Sequence, residues 1–518
     1  MADDFVRAQR ANLGDGRITS LVASVDRSRK CSEMTERGNG RGAAAEADLP
    51  STGRIMSWIS SLAELGARTP DSPAAITACE LIQHELQTMG MTNVRIEETP
   101  TVRWDAEDWS LTVCGQSIPC SPIRHTFTSG SPQRFSTPAG GLAAEVAYIG
   151  RGAESDFKAT DVTGKIVVCD APFAQIRLQD HEATFYVHDP TGTHADDHYL
   201  NPYDPPGDTF PRSYYRSLEA GAAGYIGILV DYYRDRHTYA NEAYSVYEGQ
   251  PMEIPGLWVS SVDGDKIKRL ICSDRDVAHA SIVLSGILAP ATSREVIGVL
   301  PGDGPLARES LIVDAHYDSI GTGAVQDASG CGAALAIAEY FSQVPVRERN
   351  RSLVFVFNDT HFGDYACHDR FVARTLPKLN AVFAVSIEHI GLECVDSPRG
   401  PRFTGRPAYR IIWTSPSADV VRLVKGAVVD HNLDGAVVVS SDYSPEELGG
   451  DTDELWRAGI PVVNHLGVPT YLFDEIDTVD KVAQDQLAPT VAAFVDIISG
   501  IDKLPKEALG RGRPTTAS

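Results

Sequence analysis

SLIVDAHYDSIGTGAVQDASGCGAALAIAEYFSQV, residues 310–344, decides the fold. SLIVDA is a short apolar run of strand length, and it ends in the polar tip HYDS. A glycine-punctuated turn follows, and then a small-residue apolar stretch long enough for a helix. Outward from this unit the same alternation continues. SLVFVFND (352–359) and AVFAVSIEHIGL (381–392) read as strands ending in polar residues, as do PAYRIIWTS (407–415) and GIPVVNHLG (459–467). SADVVRLVKGAVVDH (417–431) and DTVDKVAQDQLAPTVAAFVDIISG (477–500) read as helices or helix approaches. Alternation of this kind predicts an α/β fold, a mostly parallel central sheet with helices on both faces. Ligands of such sheets sit at the carboxyl ends of the strands. His316 and Asp318, Asp359 to His361, and Glu388 all fall at those ends.

The chain is 518 residues long, which calls for two packed domains or one large domain with an insertion. Residues 1–50 are polar and rich in Arg, Gly and Ala, as expected of a mobile arm, and such an arm allows a homodimer. Residues 51–138 and 289–505 are expected to form the main domain. Residues 139–288 read as a second, β-rich unit interrupted by a long polar loop at 173–217. That loop carries His181, His188, His194 and His198, and its HADDH run (194–198) has a spacing that could bind metal on a helix, with a solvated loop as the blander alternative. The net charge is −24, so nucleic acid and anionic membranes are not expected partners. Nine scattered cysteines without a CxxC pair suit a reduced, cytoplasmic setting. No signal-peptide pattern and no long apolar run are present.

The motifs in 310–344, the strand ends at 359–361 and 388, the helix pattern near residues 62–90 and the AGIPVV and DTVDKV segments occur in a set order. In that order they resemble the zinc aminopeptidase and glutamate carboxypeptidase family of metallopeptidases, and 139–288 resembles the protease-associated domain often inserted there. The resemblance implies a co-catalytic metal centre, and the sequence departs from it position by position. His316 and Asp318 match the first metal ligand and its orienting carboxylate. Gln326 stands at the bridging aspartate, with Asp327 next to it. Thr360 replaces the general base and His361 a carboxylate ligand. Glu388 replaces a ligand aspartate, and Phe473 stands where the last ligand histidine is expected. Asp451 resembles a family aspartate near the site and reads as structural. His389 reads as structural too, since strand alternation points it away from Glu388.

Gln is a poor bridge and Phe cannot ligate, so two ions are not expected. His316, His361 and Glu388, joined by Asp327 after a small shift, would hold one divalent ion: zinc, manganese or iron(II). The function expected is hydrolysis of a small amide, peptide or acyl substrate, with Asp318, Asp327, Asp359 and Thr360 as the remaining catalytic candidates. Proton transfer would fall to Asp327, Asp359 or a residue of the inserted loop. Two alternatives stay open. One is a lyase or an oxygen-using enzyme on a two-histidine, one-carboxylate iron site. The other is a non-catalytic binding protein derived from a peptidase.

Overall fold

A computed structural model describes residues 47–128, 133–201, 209–244, 249–273, 277–444 and 448–513. The expected arm lies almost wholly outside the described residues. The principal elements, in chain order, begin with α1 (Thr52–Ala63), α2 (Pro73–Thr88) and β1 (Thr92–Val113). A middle stretch carries β2 (Leu142–Tyr148), β3 (Ile166–Ala171), β4 (Thr184–His188), β5 (Gly224–Leu229) and β6 (Gly256–Ser260). Next come β7 (His279–Leu300), β8 (Ser310–His316), α3 (Ser329–Gln343), β9 (Ser352–Asn358) and β10 (Ala381–Glu388). The chain closes with β11 (Arg410–Thr414), α4 (Ala418–Asp430), β12 (Ala436–Ser440), β13 (Val462–Gly467) and α5 (Gln484–Ile501).

These strands form one continuous sheet in the order β6-β5-β3-β2-β7-β9-β8-β10-β13-β11-β12-β4. Its centre, β9-β8-β10-β13, is parallel, as the alternating pattern requires. β8 and all but the first residue of both β9 and β10 are buried, which fits strands covered on both faces. α3 is the central covering helix, buried along most of its length. Its small residues permit close approach: a Cβ at Gly332 would come within 2.7 Å of Ile59 on α1.

β7 pairs with β9 at one end and with β2 at the other, so the central sheet and the parallel strands of the middle stretch share a strand. β1 runs antiparallel along nearly the whole of β7. The segment 173–217 is not one irregular loop. β4 lies within it and pairs antiparallel with β12, adding an edge strand to the main sheet. The run 194–198 is not helical, and the helical spacing expected there does not arise. No helix among the described residues is long and apolar enough to cross a membrane.

Candidate active site

The carboxyl ends of β8, β9 and β10 converge, and the turns beyond them carry the polar groups. His316 is the last residue of β8 and is wholly buried. Its Nδ1 lies 3.0 Å from Asp318 Oδ1, and Asp318 Oδ2 accepts the Phe362 N–H at 2.8 Å. Burial alone would raise the pKa of Asp318, but His316 and His361 outweigh it and hold it below the usual carboxylate range. Asp318 therefore holds the Nδ1 hydrogen of His316, which in a neutral ring leaves the lone pair at Nε2.

The 317–327 turn is braced by two residues whose roles the sequence reading did not single out. Buried Arg68 donates to the carbonyls of Tyr317 (2.6 Å), Thr322 (3.0 Å) and Gly323 (3.2 Å). Asp477 accepts the N–H groups of Val325 (2.8 Å) and Gln326 (2.9 Å). Gln326 is so directed that its amide meets His316 Nε2 at 3.1 Å and also His389 Nε2. Burial pushes the His389 pKa down to about 3, and its Nδ1 hydrogen goes to the Gly467 carbonyl at 2.8 Å. Both Nε2 contacts fall on Gln326 Oε1, and with both rings neutral an amide turned to present its NH2 satisfies their two lone pairs.

His389 corrects the expectation from strand alternation. β10 ends at Glu388, and His389 takes a left-handed φ of 59°, which turns its ring toward Gln326. Asp327 Oδ1 accepts the N–H groups of Gly330 and His389, both at 3.1 Å, while its Oδ2 is buried without a hydrogen-bond partner. Gly330 is required by that closeness, because a Cβ there would collide with the Asp327 carboxylate and the Ile387 carbonyl.

His361 lies beside His316, the two rings stacked with centroids 4.1 Å apart. The carboxylate that joins them is Asp451. Ligand atoms of His316, His361 and Asp451 all lie within 4.8 Å of one another, a grouping that includes neither Glu388 nor Asp327. Glu388 Oε1 instead accepts the Asp451 N–H and the Asn464 Nδ2–H, each at 2.9 Å. Gly450 makes that approach possible, since its φ is +107° and a Cβ would strike Glu388 Oε1. Burial, then the Asp451 charge, raises the Glu388 pKa to about 8. Burial would raise Asp451 as well, but His316 and His361 hold it below its ordinary value. His361 is pulled down by burial and up by Asp451 and Glu242, and the carboxylates prevail, leaving it well above its usual value.

Thr360 and Asp359 are bound into the turn. Thr360 Oγ1 accepts the Cys367 N–H at 3.0 Å, and Asp359 Oδ2 accepts the Arg294 N–H at 2.9 Å. The middle stretch reaches the site through Glu242, whose Oε1 lies 3.5 Å from His361 Nε2 and whose Oε2 accepts the Tyr365 hydroxyl at 3.3 Å. Tyr239 packs edge-on against Phe473 at 5.3 Å, and Phe473 also meets Phe362 at 6.1 Å, so it forms wall.

Both oxygens of Asp451, Nδ1 of His361 and Oε2 of Glu388 are buried without a hydrogen-bond partner. Buried polar atoms left in this way carry a large desolvation cost, which a bound cation offsets. Two imidazoles and a carboxylate are a donor set for a divalent transition ion.

Residues 295–360 match peptidase family M28. No curated protein matches the chain. Among solved structures, the peptidase M28 precursor from Shewanella amazonensis SB2B has a TM-score of 0.64 and 20% identity over 90% of this chain and 98% of its own. The zinc aminopeptidase BSAP from Bacillus subtilis has a TM-score of 0.60 and 16% identity over 90% of this chain and 100% of its own. The aminopeptidase from Aneurinibacillus sp. strain AM-1 has a TM-score of 0.58 and 16% identity over 91% and 97%.

Proposed function

We propose that this zinc-aminopeptidase-like chain, with its peptidase family M28 core, is a metal-dependent hydrolase of small amide or peptide substrates that works with a single ion held by His316, His361 and Asp451. The observation that carries this reading is the convergence of those three ligand groups around buried polar atoms that, among the described residues, have no hydrogen-bond partner and meet only through the 3.4 Å ion-pair contact of His361 Nδ1 with Asp451 Oδ1. A divalent ion so held supplies Lewis acidity toward a carbonyl oxygen and toward water. Asp318 keeps the His316 ring in the tautomer whose Nε2 can ligate. Gln326 brings no charge, and Phe473 brings no ligand, so the protein provides for one ion and not two.

Proton handling moves away from position 360, where the Thr360 oxygen is occupied by the Cys367 N–H. Glu242 is the carboxylate best placed to take it over, beside His361 Nε2 and oriented by the Tyr365 hydroxyl. Tyr239, Phe473 and Phe362 pack edge-on in series beside His361, apolar surface that would limit water there.

The test is metal content of untagged protein by inductively coupled plasma mass spectrometry, beside His361→Ala and Asp451→Asn, followed by assays on aminoacyl and peptide amides. One equivalent, lost from this site in both variants, and turnover of an amide are expected. Iron(II) as the native ion with no amide turnover would favour a lyase or oxygen-using reaction on the same two-histidine, one-carboxylate set. Identical metal content in all three proteins, with no activity, would sink both enzyme readings and leave a binding protein.

A further inference from the structure

We propose that Asp189, His194 and Asp434 form a second divalent-ion site, at the edge of the sheet, that fastens the 173–217 segment to the main domain. It is independent of the hydrolase reading. Backbone register builds it. β4 and β12 pair with His188 opposite Ala436, and the Gly435 N–H donates to the His188 carbonyl at 2.8 Å. Asp189, just past β4, and Asp434, just before β12, therefore arrive at the same corner from two distant parts of the chain.

The turn after β4 then brings in the imidazole. Asp189 accepts the N–H groups of Thr193 and His194, each at 3.0 Å, which folds the chain back on itself. His194 settles over Gly435, only 5% exposed. Gly435 has φ +78°, and a Cβ there would stand 2.9 Å from His194 Nδ1, so the close seat depends on glycine.

The hydrogen bonds set the ring for ligation. His194 Nδ1 lies 2.6 Å from Asp197 Oδ2, and Asp197 Oδ1 is held in turn by Arg406 at 3.3 Å. A carboxylate that takes the Nδ1 hydrogen leaves the lone pair at Nε2, the arrangement by which proteins orient metal-binding histidines. Nε2 faces Asp434 Oδ1 at 3.5 Å. That oxygen is buried and has no hydrogen-bond partner, while Asp434 Oδ2 accepts the Thr191 hydroxyl at 3.3 Å. Ligand atoms of Asp189, His194 and Asp434 all lie within 4.8 Å of one another. One imidazole with two carboxylates suits zinc or manganese, and the nitrogen ligand disfavours calcium and magnesium. The same groups would otherwise make a plain ion pair, with His194 protonated between Asp197 and Asp434.

Zinc stoichiometry of the full chain separates the two. The protein is dialysed against buffered zinc and counted by mass spectrometry, with His361→Ala as a parent that lacks the central site. In that parent one zinc is expected, and Asp434→Asn or His194→Ala should remove it. Asp197→Asn should keep the count at saturating zinc but weaken the affinity about 10- to 100-fold. Asp434→Asn changes little volume, so it keeps the experiment sound if His194→Ala folds poorly. If the His361→Ala parent binds no zinc, or if Asp434→Asn in that parent keeps the same count, the second site is overturned. Wild-type protein with one zinc, kept in His361→Ala and lost in Asp434→Asn, would uphold this site and fail the central one.

Discussion

At the scale of single residues, Gln326 is the most informative departure. An unprotonated carboxylate at this position has no donor to offer two imidazole lone pairs, whereas an amide can satisfy both. Its burial between His316 and His389 makes it a hydrogen-bond bridge in the ion-free protein. Gln326→Leu keeps the volume and deletes the donors. It should destabilise the chelator-treated protein by about 1–3 kcal/mol, the cost of leaving buried polar groups unpaired. Denaturant unfolding measures it, and an unchanged midpoint would refute the bridge. Gln326 and the His316–Asp318 pair were legible because they sit in a motif with fixed spacing. Asp451 and His389 were under-read for different reasons. Asp451 lies far along the chain, and its approach to His361 depends on the Gly450 turn. His389 depends on a backbone reversal that alternation cannot foresee.

At the scale of elements, the central strands and helices were legible because each is an apolar run of fitting length bounded by turn residues. β4 was not, since it is short, half-buried and embedded among His, Asp, Tyr and Pro. It becomes a strand only because β12 offers an open edge. β7 carries a buried acid that strand patterning gives no hint of. Glu295 is wholly buried, and neither carboxyl oxygen has a hydrogen-bond partner. Burial, then the Glu97 charge, lifts its pKa to about 8, against an ordinary value of 4.5. A folded-state pKa raised above the unfolded one means that the native protein binds the proton more tightly. The stabilisation is fully present below pH 4.5 and is lost as pH rises toward 8. Other groups add their own slopes, so the measurement is a difference. Glu295→Gln, always neutral, should gain stability relative to wild type as pH rises from 5 to 8. Parallel urea curves at the two pH values test this, and an equal gap at both would remove the buried acid from the account.

At the scale of the whole molecule, the question is what joins the middle stretch to the site it overhangs. The shared strand β7 fixes one side, and polar contacts fix the other. Arg236 grips Asp474 through two hydrogen bonds, Nε to Oδ2 at 3.1 Å and NH2 to Oδ1 at 2.6 Å. The Asp474 side chain is wholly buried there, and the Tyr232 hydroxyl donates to it at 3.3 Å. Asp474 follows Phe473 directly, and the Phe473 carbonyl accepts the Ala240 N–H at 2.7 Å. The grip therefore holds Tyr239 against Phe473 and Glu242 against His361 in one stroke. Arg236→Gln would leave a buried carboxylate without its cation, a loss on the order of 2–5 kcal/mol. That loss should be felt where the two parts meet, because the sheet itself is untouched. Hydrogen exchange should then rise in 232–244 and 470–476 while β8, β9 and β10 stay protected. Uniform loss of protection would mean that the pair supports the fold at large. No change would mean that the shared strand alone carries the middle stretch over the site.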